Sequence, residues 1–67
     1  MTLKKVIQEY KKDNEITYKV MAERSELNNR MLEEYGCGSK KRINYKTAKK
    51  LSENLGIEFQ KIEEFIS

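Results

Sequence analysis

The chain has no histidine, no proline and a single cysteine, and each shortage removes a class of protein. Without histidine the commonest general base is missing, and the Ser-His and Cys-His routes to nucleophilic catalysis are closed. The one thiol, Cys37, makes no internal disulfide, and with no imidazole beside it a zinc site lacks its donors. Neither catalysis, nor a cofactor, nor a small-molecule substrate is expected. Apolar runs are short too. None nears the roughly 18 residues of a membrane span, and the first residues lack the apolar stretch of a signal peptide. A cytoplasmic protein without membrane contact is expected. Sixty-seven residues allow one domain, taken as 1–67. A domain of this size buries only about 60% of its unfolded surface, so its core is thin.

The net charge of +3 is modest, but its distribution is uneven. Residues 1–38 balance seven bases against seven acids. Residues 39–50 hold Lys40, Lys41, Arg42, Lys46, Lys49 and Lys50 with no acid, and residues 51–67 come to −3. A polyanion-binding surface carries such a block, and so does a merely solvated helix face with a lysine-rich loop.

With no proline, and glycine only at Gly36, Gly38 and Gly56, the chain reads as helices joined by short turns. Thr2 caps a first helix to about Lys12, with Leu3, Val6, Ile7 and Tyr10 in one apolar stripe, and Asp13-Asn14 breaks it. Thr17 caps a second helix whose stripe is Tyr18, Met21, Ala22 and Ser25. After a break at Glu26-Leu27, Asn28 caps a third helix with Leu32 and Tyr35 facing inward. Gly36-Cys37-Gly38 ends that helix, and a loop over 39–43 follows. Asn44 caps a fourth, with Ala48, Leu51, Ser52 and Leu55 on one face, stopped by Gly56 with Ile57 folding back on the last turn. A final short helix from about Glu58 presents Phe59, Ile62, Phe65 and Ile66. No stretch alternates long enough for a strand. The expected class is all-α, with five short helices.

Two of these helices, about 17–25 and 28–36, stand roughly three residues apart, the spacing of a helix-turn-helix. Such a unit needs a small residue where the helices cross, and Ala22 is there. It needs an apolar residue in the turn, and Leu27 supplies it. The second helix must offer hydrogen-bonding side chains at its outward N-terminal end, as Asn29 and Arg30 do beside Asn28. Asparagine on adenine and arginine on guanine are the pairings that geometry favours, each giving about 1–3 kcal/mol of discrimination. The positive end of the helix dipole lies there as well.

The stretch from Ile16 to Arg24, with Leu27 to Arg30, Leu32, Tyr35 and Gly38, then Leu51 and Leu55-Gly56-Ile57, resembles the lambda-repressor-like helix-turn-helix domains of phage repressors, Cro proteins and their bacterial relatives. The resemblance covers nearly the whole chain through helix order and spacing. It implies a compact five-helix DNA-binding domain and a sequence-specific transcriptional regulator that reads the major groove of double-stranded DNA with its third helix. By the same resemblance the base-reading positions fall on Asn29, Arg30 and, one turn on, Glu33 or Glu34. The family's phosphate contacts fall on Tyr18 and on Ser39, Lys40, Lys41 and Arg42 of the loop; the charge pattern adds Lys46, adjacent to that loop, and the capping Asn28 is placed with them at the helix start. The chain departs from the family at Glu26, where glycine is usual in the turn, and at Ser25, where an aliphatic is usual. Glu33 and Glu34 place two acids on the reading helix, and the loop is about one residue longer than usual.

Three further signals carry less. Gly36 to Lys41 lacks the GxxxxGK[ST] spacing and a preceding strand, so it reads as a helix terminator before a basic loop. Cys37 reads as an ordinary loop thiol, with an interchain bridge or a redox switch as its alternative. The cluster Phe59, Ile62, Phe65 and Ile66 must partly close the core. Its surplus, placed at Phe65 and Ile66, is read as the seam of a weak homodimer. A rival reading is a protein-interaction module on the same fold, binding another regulator through the apolar C-terminal end and the acidic helix face.

Overall fold

The computed structural model describes residues 2–67, and its helices begin where short-range hydrogen bonds are available to start them. They are α1 (Leu3–Asn14), α2 (Tyr18–Ser25), α3 (Asn29–Cys37), α4 (Tyr45–Leu55) and α5 (Phe59–Ile62), followed by a 3₁₀ turn over Glu63–Phe65. Thr2, Thr17, Asn28 and Asn44 each hold extended backbone, and each side-chain oxygen accepts from the amide three residues on. The asparagine caps are the tighter, at 2.8 Å to Met31 and 2.7 Å to Thr47. Caps of this kind contribute about 1 kcal/mol each.

The helix ends are less regular than the starts. α1 does not break at Asp13-Asn14. It runs through Asn14, whose amide donates to the Tyr10 carbonyl, and closes on Glu15 in the left-handed region at φ 51°. α2 closes on Glu26, also left-handed at φ 61°, with its N–H on the Ala22 and Glu23 carbonyls. Gly38 and Gly56 close α3 and α4 at φ 89° and 79°. Gly36 does not terminate α3 but lies buried inside it.

Leu3, Val6 and Ile7 of α1 meet Met21, Ala22, Leu32 and Tyr35 of α2 and α3, and Ala48, Leu51 and Leu55 of α4 close the other side. Tyr10 donates its hydroxyl proton to the Leu55 carbonyl at 2.9 Å, pinning α1 to the end of α4. Ser25, where the resembled family usually has an aliphatic residue, is fully buried and satisfied. Its hydroxyl donates to the Met21 carbonyl at 2.7 Å, and its own carbonyl accepts from Asn54 of α4. Ile43, expected as loop, is core at 2% exposure. Its N–H donates to the Phe65 carbonyl at 2.9 Å and its carbonyl accepts from Ser67 at 3.1 Å, an isolated parallel bridge to Ile66.

That bridge changes the reading of the C-terminal segment. Phe65 and Ile66 are half-buried against the core, so much of the apolar surface assigned to a dimer seam is already covered within the chain. Ile62 is fully buried, and Phe59 is half-buried with its ring edge-on to Tyr45 at 6.0 Å. Among the described residues, the exposed large apolar side chain is Tyr45, at 59%.

Candidate nucleic-acid interface

The candidate surface starts at the junction of α2 and α3. The chain reverses there over Glu26, Leu27 and Asn28, with the Leu27 N–H on the Ala22 carbonyl at 3.0 Å. Ala22, 4% exposed, is small enough to let the two helices approach, and Leu27 packs half-buried against the core. Met21 and Leu32 are fully buried, which fixes the face that α3 turns outward.

That outward face carries Asn28, Asn29 and Arg30 at the positive end of α3 and Glu33 one turn on, all exposed. Asn28 spends its carbonyl oxygen on the Met31 amide, so its amide group is the part free to meet an anion. Glu34, one turn beyond Arg30, is half-buried at the edge of this group. It is turned toward the following loop, 3.9 Å from the Arg30 guanidinium and 3.7 Å from the Lys40 ammonium. Its carboxylate is shared by two cations, which a base contact from Glu34 would have to displace. Arg30 is 86% exposed at the side chain, so this contact restrains it weakly.

The loop beyond α3 presents Ser39, Lys40, Lys41 and Arg42 together, all exposed. One backbone tie and one side-chain tie shape it. The Lys40 N–H donates to the Glu34 carbonyl at 3.2 Å, and Arg42 donates through Nη1 to the Glu64 carbonyl at 3.2 Å. Lys46 and Lys49 of α4 are exposed and Lys50 is half-buried. Cys37 is exposed, with its sulfur 3.0 Å from the Ser39 hydroxyl, a hydrogen bond that holds the thiol below its ordinary value of 9.0. Tyr35 moves the other way. Burial pushes its phenol above 10.0, and the Glu34 carboxylate adds to the rise.

Tyr18 is half-buried rather than free on the surface. Its hydroxyl oxygen accepts from Gln8 Nε2 at 2.6 Å, and Lys11 places its ammonium 5.1 Å from the ring centroid. The same Gln8 nitrogen donates to the Gly36 carbonyl at 2.7 Å, so one amide ties α1 to both α2 and α3. With its oxygen accepting, the phenol keeps its own proton for an outside acceptor. Sequence reasoning missed Gln8. A glutamine beside an apolar stripe carries no signal until its partners, 10 and 28 residues away, are in place.

Among the described residues there is no group of three or more side chains able to hold a metal ion, and no helix is long and apolar enough to cross a membrane. No family model matches the chain, and neither a curated protein nor a solved structure matches it.

Proposed function

We propose that this chain is a sequence-specific DNA-binding regulator of the lambda-repressor-like kind, acting in the cytoplasm of a prokaryotic or phage-infected cell. One observation carries the reading. Arg30, at the exposed N-terminal end of α3, and Lys40, in the exposed basic loop that leaves the helix's other end, lie 3.9 and 3.7 Å from the one Glu34 carboxylate, so the reading end of the helix and the loop of Lys40, Lys41 and Arg42 meet on one surface. Base-reading groups and phosphate-holding groups thus come from one continuous stretch of chain. Asn29 and Arg30 read base edges, Glu33 accepts from cytosine N4 one turn on, and the loop holds phosphates with Tyr18, Asn28, Ser39 and Lys46 in support. A single reading helix covers few base pairs, so a weak homodimer on two half-sites about 34 Å apart is part of the proposal.

A second reading, a protein-interaction module on the same scaffold, is favoured by the exposed Tyr45 ring seated edge-on to Phe59. Binding-site selection from random duplexes, followed by a salt titration, tests both. DNA binding predicts an enriched site and an affinity falling with salt at about −0.9 per phosphate contact. An absence of enrichment, with a flat salt response toward a protein partner, sinks the DNA reading.

A further inference from the structure

Between the first turn of α1 and the loop after α3 lies a groove of about 350 Å³. The half-buried Phe65 is its apolar floor, with Leu3 beneath at 2% exposure, and Lys4, Lys40, Lys41 and Arg42 stand around it, with no carboxylate among the described residues of the lining. A phosphate backbone uses the cations but has no need of the floor. An apolar floor under four cations complements a molecule with an anionic head on a hydrocarbon body. The volume falls within the range of small-ligand sites.

We propose that this groove binds a small amphipathic carboxylate and that its occupancy competes with DNA. The first half stands on the groove alone, whereas the competition rests on the DNA-binding reading. Lys40, Lys41 and Arg42 line the groove and also belong to the phosphate-holding loop, so the same three charges serve two anions. Lys40 further lies 3.7 Å from Glu34, which lies 3.9 Å from Arg30. A carboxylate head that draws Lys40 away leaves Glu34 to Arg30 alone. The effect that disfavours the DNA complex is the loss of loop cations from the phosphates; the Arg30–Glu34 pair, on an exposed side chain, adds little. Differential affinity for the DNA-free state is what a ligand requires to shift the equilibrium.

Octanoate titrated into the ¹⁵N-labelled full chain tests the site, with acetate (the head without the tail) and octanol (the tail without the head) as controls. Saturable shifts at Leu3, Lys4, Gly38 and Lys41 with octanoate only are expected. Lys4→Gln with Lys41→Gln should weaken octanoate about tenfold while leaving the amide spectrum folded. Equal shifts with acetate would mean a generic anion site and overturn the proposal. So would shifts that follow protein concentration without ligand, since a second copy would then cover the groove. In the DNA arm, octanoate should weaken binding to the selected site, and less so in Lys4→Gln. DNA binding with no saturable octanoate response overturns the groove and leaves the DNA reading standing. Octanoate binding by a chain that selects no DNA supports the groove and overturns that reading.

Discussion

The ring of Tyr18 closes over the backbone of Gly36. A β-carbon on that glycine would stand 2.6 Å from Tyr18 Cε1 and 2.7 Å from Cζ. Both residues also accept from the one amide nitrogen of Gln8. The glycine is where α3 passes beneath α2, and only its missing side chain lets the ring lie there.

Gly36→Ala should therefore destabilise the chain, although alanine favours helix by about 1 kcal/mol over glycine. The clash is with a ring held on both sides, and overpacking of this kind costs about 1–3 kcal/mol. Thermal melts decide the sign. Combining it with Tyr18→Ala should recover part of the loss, and strict additivity of the two changes would show that they do not touch.

Glu26 sits at φ 61°, where a side chain is strained. Glu26→Gly should raise stability by roughly 0.5–1 kcal/mol, even though glycine adds freedom to the unfolded chain. A lower melting temperature would show that the glutamate side chain contributes more than the strain it brings.

Lys40→Ala with Lys41→Ala should weaken binding to all duplexes and reduce the salt slope by about 2. Arg30→Ala should instead relax preference at one base pair, by about 1–3 kcal/mol, with nonspecific binding nearly kept. Parallel filter-binding titrations on specific and random DNA separate the two. An unchanged slope in the lysine variant would remove the loop from the phosphates.

Tyr35 gives a pH dependence whose sign follows from its environment. Its folded pKa lies above the unfolded value of 10.0, so the folded state favours the protonated phenol. That stability is full below pH 10.0 and is lost as pH rises through the folded pKa. Denaturant midpoints measured above that pH should fall less steeply for Tyr35→Phe than for the parent chain. Identical curves would mean the phenol is not the group responsible.

Phe65 is half-buried, and its carbonyl holds Ile43. Phe65→Ala should thus cost about 2 kcal/mol, near half of what full burial implies. Sedimentation with and without the selected DNA tests the homodimer separately. A monomer in both states, on a site without repeated halves, would end the dimer proposal.

The features legible in the sequence are those set by neighbours within a few residues. Thr2, Thr17, Asn28 and Asn44 cap amides three residues away, so their role follows from local geometry alone. The apolar stripes of α1, α3 and α4 identify core faces for the same reason, since helical period puts i, i+3 and i+4 on one side. Glycine at 56 marks a helix stop without reference to anything distant. Tertiary structure decided what depends on two elements meeting. Gly36 terminates a helix in any local reading, yet it is a crossing point because Tyr18 lies over it. Ile43 reads as loop until Ile66 returns beside it, and only then do its backbone groups find partners and its side chain a core. Glu34 stands one turn from Arg30 by helical period, and only the fold brings Lys40 to the same carboxylate. Each of these outcomes rests on the angle at which helices pack, and that angle is set by the whole buried surface at once rather than by any one segment.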